Sequence, residues 1–332
     1  MNGRVVPVLA LLAALAACGS DSPTTPSSPA PTMTCPANVA VTSPNGQPMV
    51  VTYPPPTVTG GTAPVTTTCA PASDTVFPIG ASPVQCSTAD AQGRRASCSF
   101  TVTVSQPPSV SATRYLAFGD SITVGENGQA GSPPTGLYQP LWIVAEPYPA
   151  GFNRLMRDRY TAQTVTVFNR GLGGETTTAG LARLPSELSG YQPQVLLLLE
   201  GANDIAQATD AAVNIAATNL DKMVTLAKGR GVTVFLATLT PQREGGRRAW
   251  GYKYVDPMNT RIKQIAVAQG VVLVDLFAAF GGQPGTLIDE DGLHPNQAGF
   301  TRMAETFYAE VRKALERSTS LGAPLAAPFI GS

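Results

Sequence analysis

Residues 114–317 alternate five short apolar runs with five stretches of helical periodicity, and this alternation is the feature that most restricts the fold. Strands that are separated by helices pair in parallel, and a parallel sheet is covered by helices on both faces. The run Val-Leu-Leu-Leu-Leu at residues 195–199 is apolar on both faces, as a central parallel strand is. We therefore predict a three-layer α/β domain. Its strands are expected at residues 115–118, 165–169, 195–199, 232–236 and 271–274, and its helices at residues 150–160, 177–188, 211–228, 256–269 and 296–317.

Cysteine and charge set the preceding part of the chain apart from this domain. All five cysteines lie before residue 114, whereas the single histidine, His294, lies near the far end. Charged residues make up 13% of the chain, with 22 of each sign, against roughly 25% in typical soluble domains. Because the two signs balance, we expect no nucleic-acid partner. The chain thus has two parts of different chemistry.

The first 17 residues carry one early arginine and an apolar run too short to span a bilayer, which is typical of an export signal. The run ends in Leu-Ala-Ala-Cys, which resembles the bacterial lipobox, whose cysteine becomes the lipidated first residue of the mature protein; here it is Cys18. The resemblance implies an exported lipoprotein, held on a membrane of the cell envelope and either periplasmic or surface-exposed. The alternative is an ordinary signal peptide with a chance cysteine. Residues 18–33 are rich in Ser, Pro and Thr and are predicted to form a tether.

Residues 34–105 are predicted to be a small all-β domain, because Val- and Thr-rich runs are separated by Pro and Gly turns. The runs are at residues 39–42, 49–53, 64–68 and 99–104. Apart from Cys18, four cysteines remain, and small exported domains commonly add disulfides to a small core. Four cysteines allow three pairings. The pairing that we favour is Cys35–Cys98 with Cys69–Cys86. Residues 106–113 are predicted to be a linker.

The segment Phe-Pro-Ile-Gly-Ala-Ser-Pro-Val-Gln-Cys, which ends at Cys86, resembles the hyalin repeat, as does the placement of all four cysteines. The resemblance implies an immunoglobulin-like β-sandwich of the kind used in adhesion and accessory modules. Such a module could contact a cell wall or polymer. We favour the alternative of a passive spacer, since few exposed aromatic side chains are expected.

Chemistry-bearing residues follow the predicted strands of the α/β domain. Gly-Asp-Ser, ending at Ser121, follows the first strand, a glycine-rich turn at residues 171–174 follows the second, and Gly-Ala-Asn, ending at Asn203, follows the third. Asp291 and His294 come just before the last helix. Ligands of such sheets bind beyond the carboxyl ends of the strands, so we expect these residues to meet at one edge. Together they provide the groups for acyl transfer through a serine nucleophile.

A role in catalysis can be assigned to each of these residues. The Ser121 hydroxyl needs a neighbouring base, and His294 is the only imidazole in the chain. Asp291, three residues earlier, can orient the imidazole and stabilise its positive charge. An oxyanion needs donors, each worth roughly 3–4 kcal/mol of barrier. The candidate donors are the backbone N–H groups of Ser121 and Gly174 and the side-chain amide of Asn203, with Gly173 as an alternative.

These four segments, in this order, resemble the four blocks of the SGNH, or GDSL, hydrolase family over residues 114–317. One departure is Gly-Glu-Thr at Gly174, where Gly-Asp-Thr is more common. The resemblance implies the SGNH hydrolase fold, a flavodoxin-like parallel sheet of order 2-1-3-4-5. It also implies ester hydrolysis through an acyl-serine, without a metal or organic cofactor.

Simpler structural roles are open to the same residues. Ser121 could cap a helix, and Asn203 with Asp204 could form a turn. The sequence Gly-Leu-Gly-Gly-Glu-Thr fails as a dinucleotide fingerprint, because Thr176 stands where the third glycine belongs. One histidine without a cysteine in this half does not predict a zinc site. Because the simpler roles require four independent coincidences, we favour the hydrolase.

We therefore expect an exported serine esterase that acts on short-chain, acetyl-type esters, with a small ester or an acylated glycan as its substrate. One alternative is a polysaccharide O-acetyl esterase, which the tether and the β-domain favour slightly. An alternative of another class is a surface adhesion protein whose hydrolase half is inert.

Two loops at the predicted active edge are candidates for substrate contact. Residues 126–149 form a Gly- and Pro-rich insertion, interpreted either as an acyl- or sugar-binding rim or as a surface cover. Its large aromatic residues are Tyr138, Trp142 and Tyr148. Residues 243–254 could meet an anionic substrate, although a solvated loop is the simpler interpretation. Their candidate cations are Arg247, Arg248 and Lys253. The tail at residues 318–332 has no functional interpretation.

Overall fold

The computed structural model describes Gly3, residues 28–128 and residues 143–317. The predicted export signal, Cys18, most of the tether and the tail at residues 318–332 lie outside the described residues. The chain divides into two compact units. One comprises the described part of Met1–Asn38 with Thr52–Thr75 and Pro83–Thr101, and the other comprises Val39–Val51, Val76–Ser82 and the described part of Val102–Ser332. In the parts of the chain so described, no helix has the length and apolar character that crossing a membrane requires.

The N-terminal region is all-β, as predicted. Its strands are β1 (Thr32–Thr34), β2 (Val39–Thr42), β3 (Met49–Val51), β4 (Thr57–Thr59), β5 (Thr66–Ala70), β6 (Thr75–Phe77), β7 (Gly80–Ala89) and β8 (Arg95–Ser105). The four predicted runs correspond to β2, β3, β5 and β8. Sequence reasoning missed β1, β4 and β6, which have three residues each, and β7, which contains a proline.

Two disulfides tie the first unit. Antiparallel pairing of β5 with β7 places Cys69 directly opposite Cys86, and the two are bonded. Cys35 is bonded to Cys98. The favoured pairing is therefore confirmed.

The second unit contains the α/β domain. Its further elements are β9 (Ser109–Val110), β10 (Arg114–Gly119), α1 (Ser121–Val124), α2 (Tyr148–Arg159), β11 (Thr166–Gly171), α3 (Thr177–Tyr191), β12 (Val195–Leu199), α4 (Ala202–Ile205), α5 (Asp210–Gly229), β13 (Thr233–Ala237), a 3-10 helix (Tyr252–Tyr254), α6 (Val255–Gln269), β14 (Val272–Val274), α7 (Leu276–Ala279), α8 (Gln297–Leu315) and β15 (Glu316–Arg317). The five predicted strands and five predicted helices are confirmed, with ends shifted by a few residues. The four-residue helices α1, α4 and α7 were missed, because so short a segment carries no periodicity.

The central sheet has five parallel strands in the order β11-β10-β12-β13-β14. This is the order 2-1-3-4-5 that the family resemblance implies, and it is confirmed. β10 lies between β11 and β12, and Gly119 at its end pairs with Gly171 on one side and Leu199 on the other. The turns that follow these three strands therefore share one edge. β9, in the predicted linker, pairs antiparallel with β15.

The core is formed by the sheet and the helices that cover it. All five residues of β12 are buried, and α2 packs with α8 while α5 packs with α3 and α6. Burying one large aliphatic side chain stabilises the fold by about 1.5–3 kcal/mol. Tyr148 is also fully buried, and its ring stacks on Phe307 with centroids 5.0 Å apart. The interpretation of Tyr148 as a rim residue is wrong, and Tyr138 and Trp142 lie outside the described residues.

Candidate active site

The turn from β10 into α1 positions Ser121. The Asp120 side chain caps α1, because its Oδ1 accepts a hydrogen bond from the Ile122 N–H at 2.9 Å. Ser121 is the first residue of the helix, and its hydroxyl contacts His294 instead of capping. The alternative role of Ser121 as a helix cap is therefore wrong, since Asp120 provides the cap.

Ser121, His294 and Asp291 form a continuous hydrogen-bonded chain. Ser121 Oγ lies 2.8 Å from His294 Nε2, and His294 Nδ1 lies 2.6 Å from Asp291 Oδ2. A carboxylate can only accept, so Nδ1 carries the proton and donates to Asp291. Nε2 is then the acceptor of the Ser121 hydroxyl proton. His294 is 1% exposed and Asp291 is fully buried, so this chain of hydrogen bonds is shielded from water.

The Asp291 carboxylate is strongly stabilised as an anion. Its Oδ1 accepts hydrogen bonds from the backbone N–H groups of Leu293 and His294 at 2.9 and 3.0 Å. Burial alone would raise its pKa. The hydrogen bond and charge interaction with His294, together with the two backbone N–H groups, outweigh burial and lower the pKa of Asp291 to about 2. The carboxylate is therefore charged at neutral pH.

The loop after β13 holds the turn that carries Asp291. The Arg248 N–H donates to the Asp291 carbonyl at 2.9 Å, and the Arg243 N–H donates to the Gly292 carbonyl at 2.8 Å. Arg248 Nε also lies 4.0 Å from Asp291 Oδ2. This part of the loop packs against the Asp291 turn, so the interpretation of residues 243–254 as merely solvated is wrong there. Sequence reasoning found no signal for these backbone contacts.

The predicted oxyanion donors come from neighbouring turns. Gly174 has a φ of +74°, a conformation that favours glycine, and a Cβ at this position would meet nothing within 4 Å. At Gly173 a Cβ would overlap the Glu126 carboxylate. This difference favours Gly174 over Gly173 as the group that faces open space. Among the described residues, nothing therefore lies within 4 Å of the position that a Gly174 side chain would occupy.

Asn203 links the glycine-rich turn to the Ser121 turn. Its Nδ2 donates to the Glu175 carbonyl at 2.8 Å and lies 3.4 Å from Asp120 Oδ2. The amide of Asn203 is therefore brought to the same edge as Ser121 and Gly174. The alternative in which Asn203 and Asp204 only form a turn does not account for these contacts.

Besides Asp291, four carboxyl groups of the described residues are buried near this edge: Asp120, Glu175, Glu200 and Asp204. Burial, the largest influence, raises the pKa of Asp120 to about 7 and also raises the pKa of Asp204. Asp204 accepts hydrogen bonds from the Thr177 N–H at 2.9 Å and hydroxyl at 2.7 Å. Sequence reasoning assigned no catalytic role to any of them, although each lies in a segment that follows a strand. Within the described ranges, no group of three or more His, Cys, Asp or Glu side chains could hold a metal ion.

The arrangement of Ser121, His294 and Asp291 can deprotonate a hydroxyl nucleophile and store the proton on a buried imidazole. The predicted amide donors, which are the N–H groups of Ser121 and Gly174 and the side chain of Asn203, belong to segments that follow adjacent strands. This combination suits attack on a carbonyl carbon and stabilisation of the resulting oxyanion.

Comparison with known proteins gives family matches to both parts of the chain. A sequence model of the GDSL-like Lipase/Acylhydrolase family matches residues 117–302, which include all four site segments. A model of the HYR domain matches residues 27–104. The chain is 32% identical to "Arylesterase" from Vibrio mimicus over 153 residues, 46% of this chain and 73% of that protein. It is 26% identical to "Esterase TesA" from Pseudomonas aeruginosa over 151 residues, 45% of this chain and 71% of that protein.

A solved structure of the lipase/acylhydrolase from Enterococcus faecalis shares the fold. The match has a TM-score of 0.50 and 24% identity, and it covers 62% of this chain and 100% of that one.

Gly119 is a position where the site depends on the absence of a side chain. A Cβ there would overlap the Leu199 carbonyl oxygen and the Thr123 hydroxyl. Gly119→Ala is therefore expected to lower the free energy of unfolding by about 3 kcal/mol. The matched control is Gly190→Ala in α3, where a Cβ meets nothing within 4 Å. It should raise the free energy of unfolding by about 0.5–1 kcal/mol. Urea unfolding measures both, and a wild-type midpoint for Gly119→Ala would contradict the packing argument.

Proposed function

The chain belongs to the GDSL-like Lipase/Acylhydrolase family and is a carboxylic ester hydrolase, and from that premise we propose that it hydrolyses short-chain, acetyl-type esters through an acyl intermediate on Ser121. The observation that carries the proposal is the buried hydrogen-bonded chain from Ser121 through His294 to Asp291. Its geometry matches that of a serine nucleophile with its base and its orienting carboxylate.

Acylation follows from the hydrogen bonds in the site. Ser121 Oγ attacks the ester carbonyl carbon while His294 Nε2 takes the hydroxyl proton. Asp291 stays ionised and stabilises the imidazolium. The tetrahedral intermediate collapses when the bond to the leaving alcohol breaks and His294 gives its proton to the alkoxide. The acyl group then remains on Ser121.

Deacylation uses the same groups with water as the nucleophile. His294 takes a proton from water, whose oxygen attacks the acyl carbon, and then returns that proton to Ser121 Oγ as the carboxylic acid leaves. In both steps the oxyanion is held by the N–H groups of Ser121 and Gly174 and by the Asn203 amide. One Asn203 N–H is held by the Glu175 carbonyl. The 3.4 Å contact to Asp120 is long, so the other N–H can turn to the substrate oxygen.

Ser121→Ala is expected to abolish hydrolysis of p-nitrophenyl acetate, because it removes the hydroxyl that His294 Nε2 is placed to deprotonate. The thermal unfolding midpoint should stay close to that of the wild type, since only one hydroxyl is removed. Ser186→Ala, on the exposed face of α3, is the matched control and should keep wild-type turnover. Turnover by Ser121→Ala at the wild-type rate would refute the assignment of Ser121 as the nucleophile.

A second candidate substrate is an O-acetylated polysaccharide, and Trp250 is the observation that favours it. The indole is 66% exposed, although its neighbour Ala249 is buried and Arg248 is bonded to the Asp291 turn. An exposed tryptophan on a well-anchored loop offers a flat apolar face with a polar N–H, which suits the stacking of a sugar ring. The alcohol side of such an ester would then lie along this loop.

The two candidates are separated by a substrate panel. We expect kcat/KM for p-nitrophenyl acetate to exceed that for p-nitrophenyl octanoate by about tenfold or more. Trp250→Ala should lower acetate release from an acetylated glycan by about tenfold, the value of one aromatic contact. Val267→Ala, at another exposed apolar position, is the control and should change neither rate. A preference for octanoate would refute the acetyl-type substrate, and no acetate release from the glycan would refute the second candidate.

We also propose that the protein is exported and held on a cell-envelope membrane by a lipid on Cys18. The lipobox-like Leu-Ala-Ala-Cys supports this anchor, and the Ser/Pro/Thr-rich tether supports a head held away from the surface. The HYR domain would stand between the tether and the esterase, as a spacer or as a contact to a wall polymer. The disulfides of this domain fit an oxidising compartment outside the cytoplasm.

Cys18→Ser is expected to move the protein from the membrane fraction to the soluble fraction, because the acyl chains supply the membrane affinity. Thr24→Ala, in the same tether, is the matched control and should remain with the membrane. Cell fractionation followed by immunodetection measures the distribution. Membrane retention of Cys18→Ser equal to that of the wild type would rule out the lipid anchor.

A further inference from the structure

Glu200 is a buried carboxyl group that takes no part in the reaction steps described above. It follows β12 directly and is 1% exposed. In the described part of the chain, no N–H or hydroxyl donor reaches either of its oxygens. An ionised carboxylate without a donor or a cation is very unfavourable in such surroundings. The surroundings of Glu200 therefore decide its protonation state.

The groups that face Glu200 make its ionisation unfavourable. They are the carboxyl groups of Asp120, Glu175 and Asp204 and the phenol of Tyr148. Gly180 of α3 packs against Glu200. A Cβ at position 180 would lie 3.2 Å from Glu200 Oε1. Burial, followed by repulsion from Asp120, raises the pKa of Glu200 well above its usual range.

The other three carboxyl groups each have a donor, so the proton belongs on Glu200. The donors are the Ile122 N–H for Asp120, the N–H and hydroxyl of Thr177 for Asp204, and the Arg183 guanidinium for Glu175. Each donor favours the ionised form of the carboxyl group that it contacts, in opposition to burial, whereas no such donor reaches Glu200. Arg183 supplies positive charge to this cluster, because it pairs with Glu175 and with the neighbouring Glu187. Protonation of Glu200 therefore removes the one negative charge of the four that would lack a donor.

A protonated Glu200 can donate to the Glu175 carboxylate, the acceptor next to it. Glu175 in turn organises the predicted oxyanion donors. It follows Gly174 directly, its N–H donates to the Leu172 carbonyl at 3.1 Å, and its carbonyl accepts from Asn203 Nδ2 at 2.8 Å. A group that fixes Glu175 thus acts on Gly174 and Asn203 together.

We propose that Glu200 is a positioning residue that stays protonated during turnover and, through a hydrogen bond to Glu175, holds the Gly174 N–H and the Asn203 amide in place for the oxyanion. It does not touch the substrate. The inference rests on the proposed serine esterase reaction and adds to it a role for a neutral carboxylic acid behind the oxyanion donors.

Two variants separate a hydrogen-bond donor from a mere space-filling group. Glu200→Gln keeps the shape and a donor but cannot ionise, and it should keep kcat for p-nitrophenyl acetate within about threefold of the wild type. Glu200→Leu fills the space without a donor and should lower kcat on the order of ten- to a hundredfold, because small displacements of catalytic groups are costly. KM should change less than about twofold, since Glu200 acts after binding. Glu305→Gln, at an exposed position of α8, is the matched control and should behave as the wild type.

The protonation state is read independently of activity by infrared spectroscopy. The difference spectrum between wild type and Glu200→Gln at pH 7 should contain the carbonyl band of a neutral carboxylic acid. The difference between wild type and Glu305→Gln should contain the carboxylate bands of Glu305 and no neutral carboxylic acid band. These two spectra keep the proposal testable if Glu200→Leu fails to fold.

The outcomes distinguish the inference from the proposed function. Equal loss of kcat in Glu200→Gln and Glu200→Leu would overturn the donor role of Glu200. The absence of a neutral carboxylic acid band assignable to Glu200 would overturn its protonation. A wild-type protein that does not hydrolyse p-nitrophenyl acetate would instead refute the proposed substrate, and the infrared result would still stand for Glu200.

Discussion

Parallel pairing of β10 with both β11 and β12 is the constraint from which the site follows. Parallel strands end at one edge, so the segments after residues 119, 171 and 199 meet there although they are far apart in sequence. No long side chains are needed to reach across the site. The serine and the asparagine amide are carried by the short helices α1 and α4, and the glycine amide is carried by the turn after β11. The loop before α8 brings the imidazole to them.

The same pairing concentrates negative charge. Asp120 and Glu200 follow neighbouring strands, Glu175 lies in the glycine-rich turn and Asp204 lies in α4. Four carboxyl groups therefore share a buried region next to the proposed oxyanion donors. Left ionised and unpaired, they would oppose the charge that the amide donors must stabilise. Arg183 offsets part of this charge, and a proton on Glu200 offsets another part. The charges behind the oxyanion donors therefore affect how well those donors stabilise an oxyanion.

Sequence could predict the parts of this protein that repeat a physical pattern. The apolar run of β12 and the turn residues after each strand identified the sheet and its active edge, because the sheet geometry leaves few other arrangements. Three-residue strands and four-residue helices were not predicted, because such short segments show no hydrophobic periodicity. Tyr148 was wrongly placed on a rim because its Gly- and Pro-rich context resembles an exposed loop, whereas the ring stacks in the core. The contacts of Glu200 and Arg248 join segments that are distant in the chain, and no local sequence pattern indicates them.

The spacing of three residues between Asp291 and His294 has a physical cause in the turn that they share. One carboxylate oxygen of Asp291 is held by the backbone N–H groups of Leu293 and His294, which leaves the other oxygen to face His294 Nδ1. The backbone N–H groups of the turn thus orient the carboxylate independently of the imidazole. They also stabilise the anion against the cost of burial. Because both oxygens are engaged, the carboxylate cannot rotate away from the ring. The proton on Nδ1 is therefore fixed, and Nε2 remains the only position from which His294 can accept the proton of Ser121.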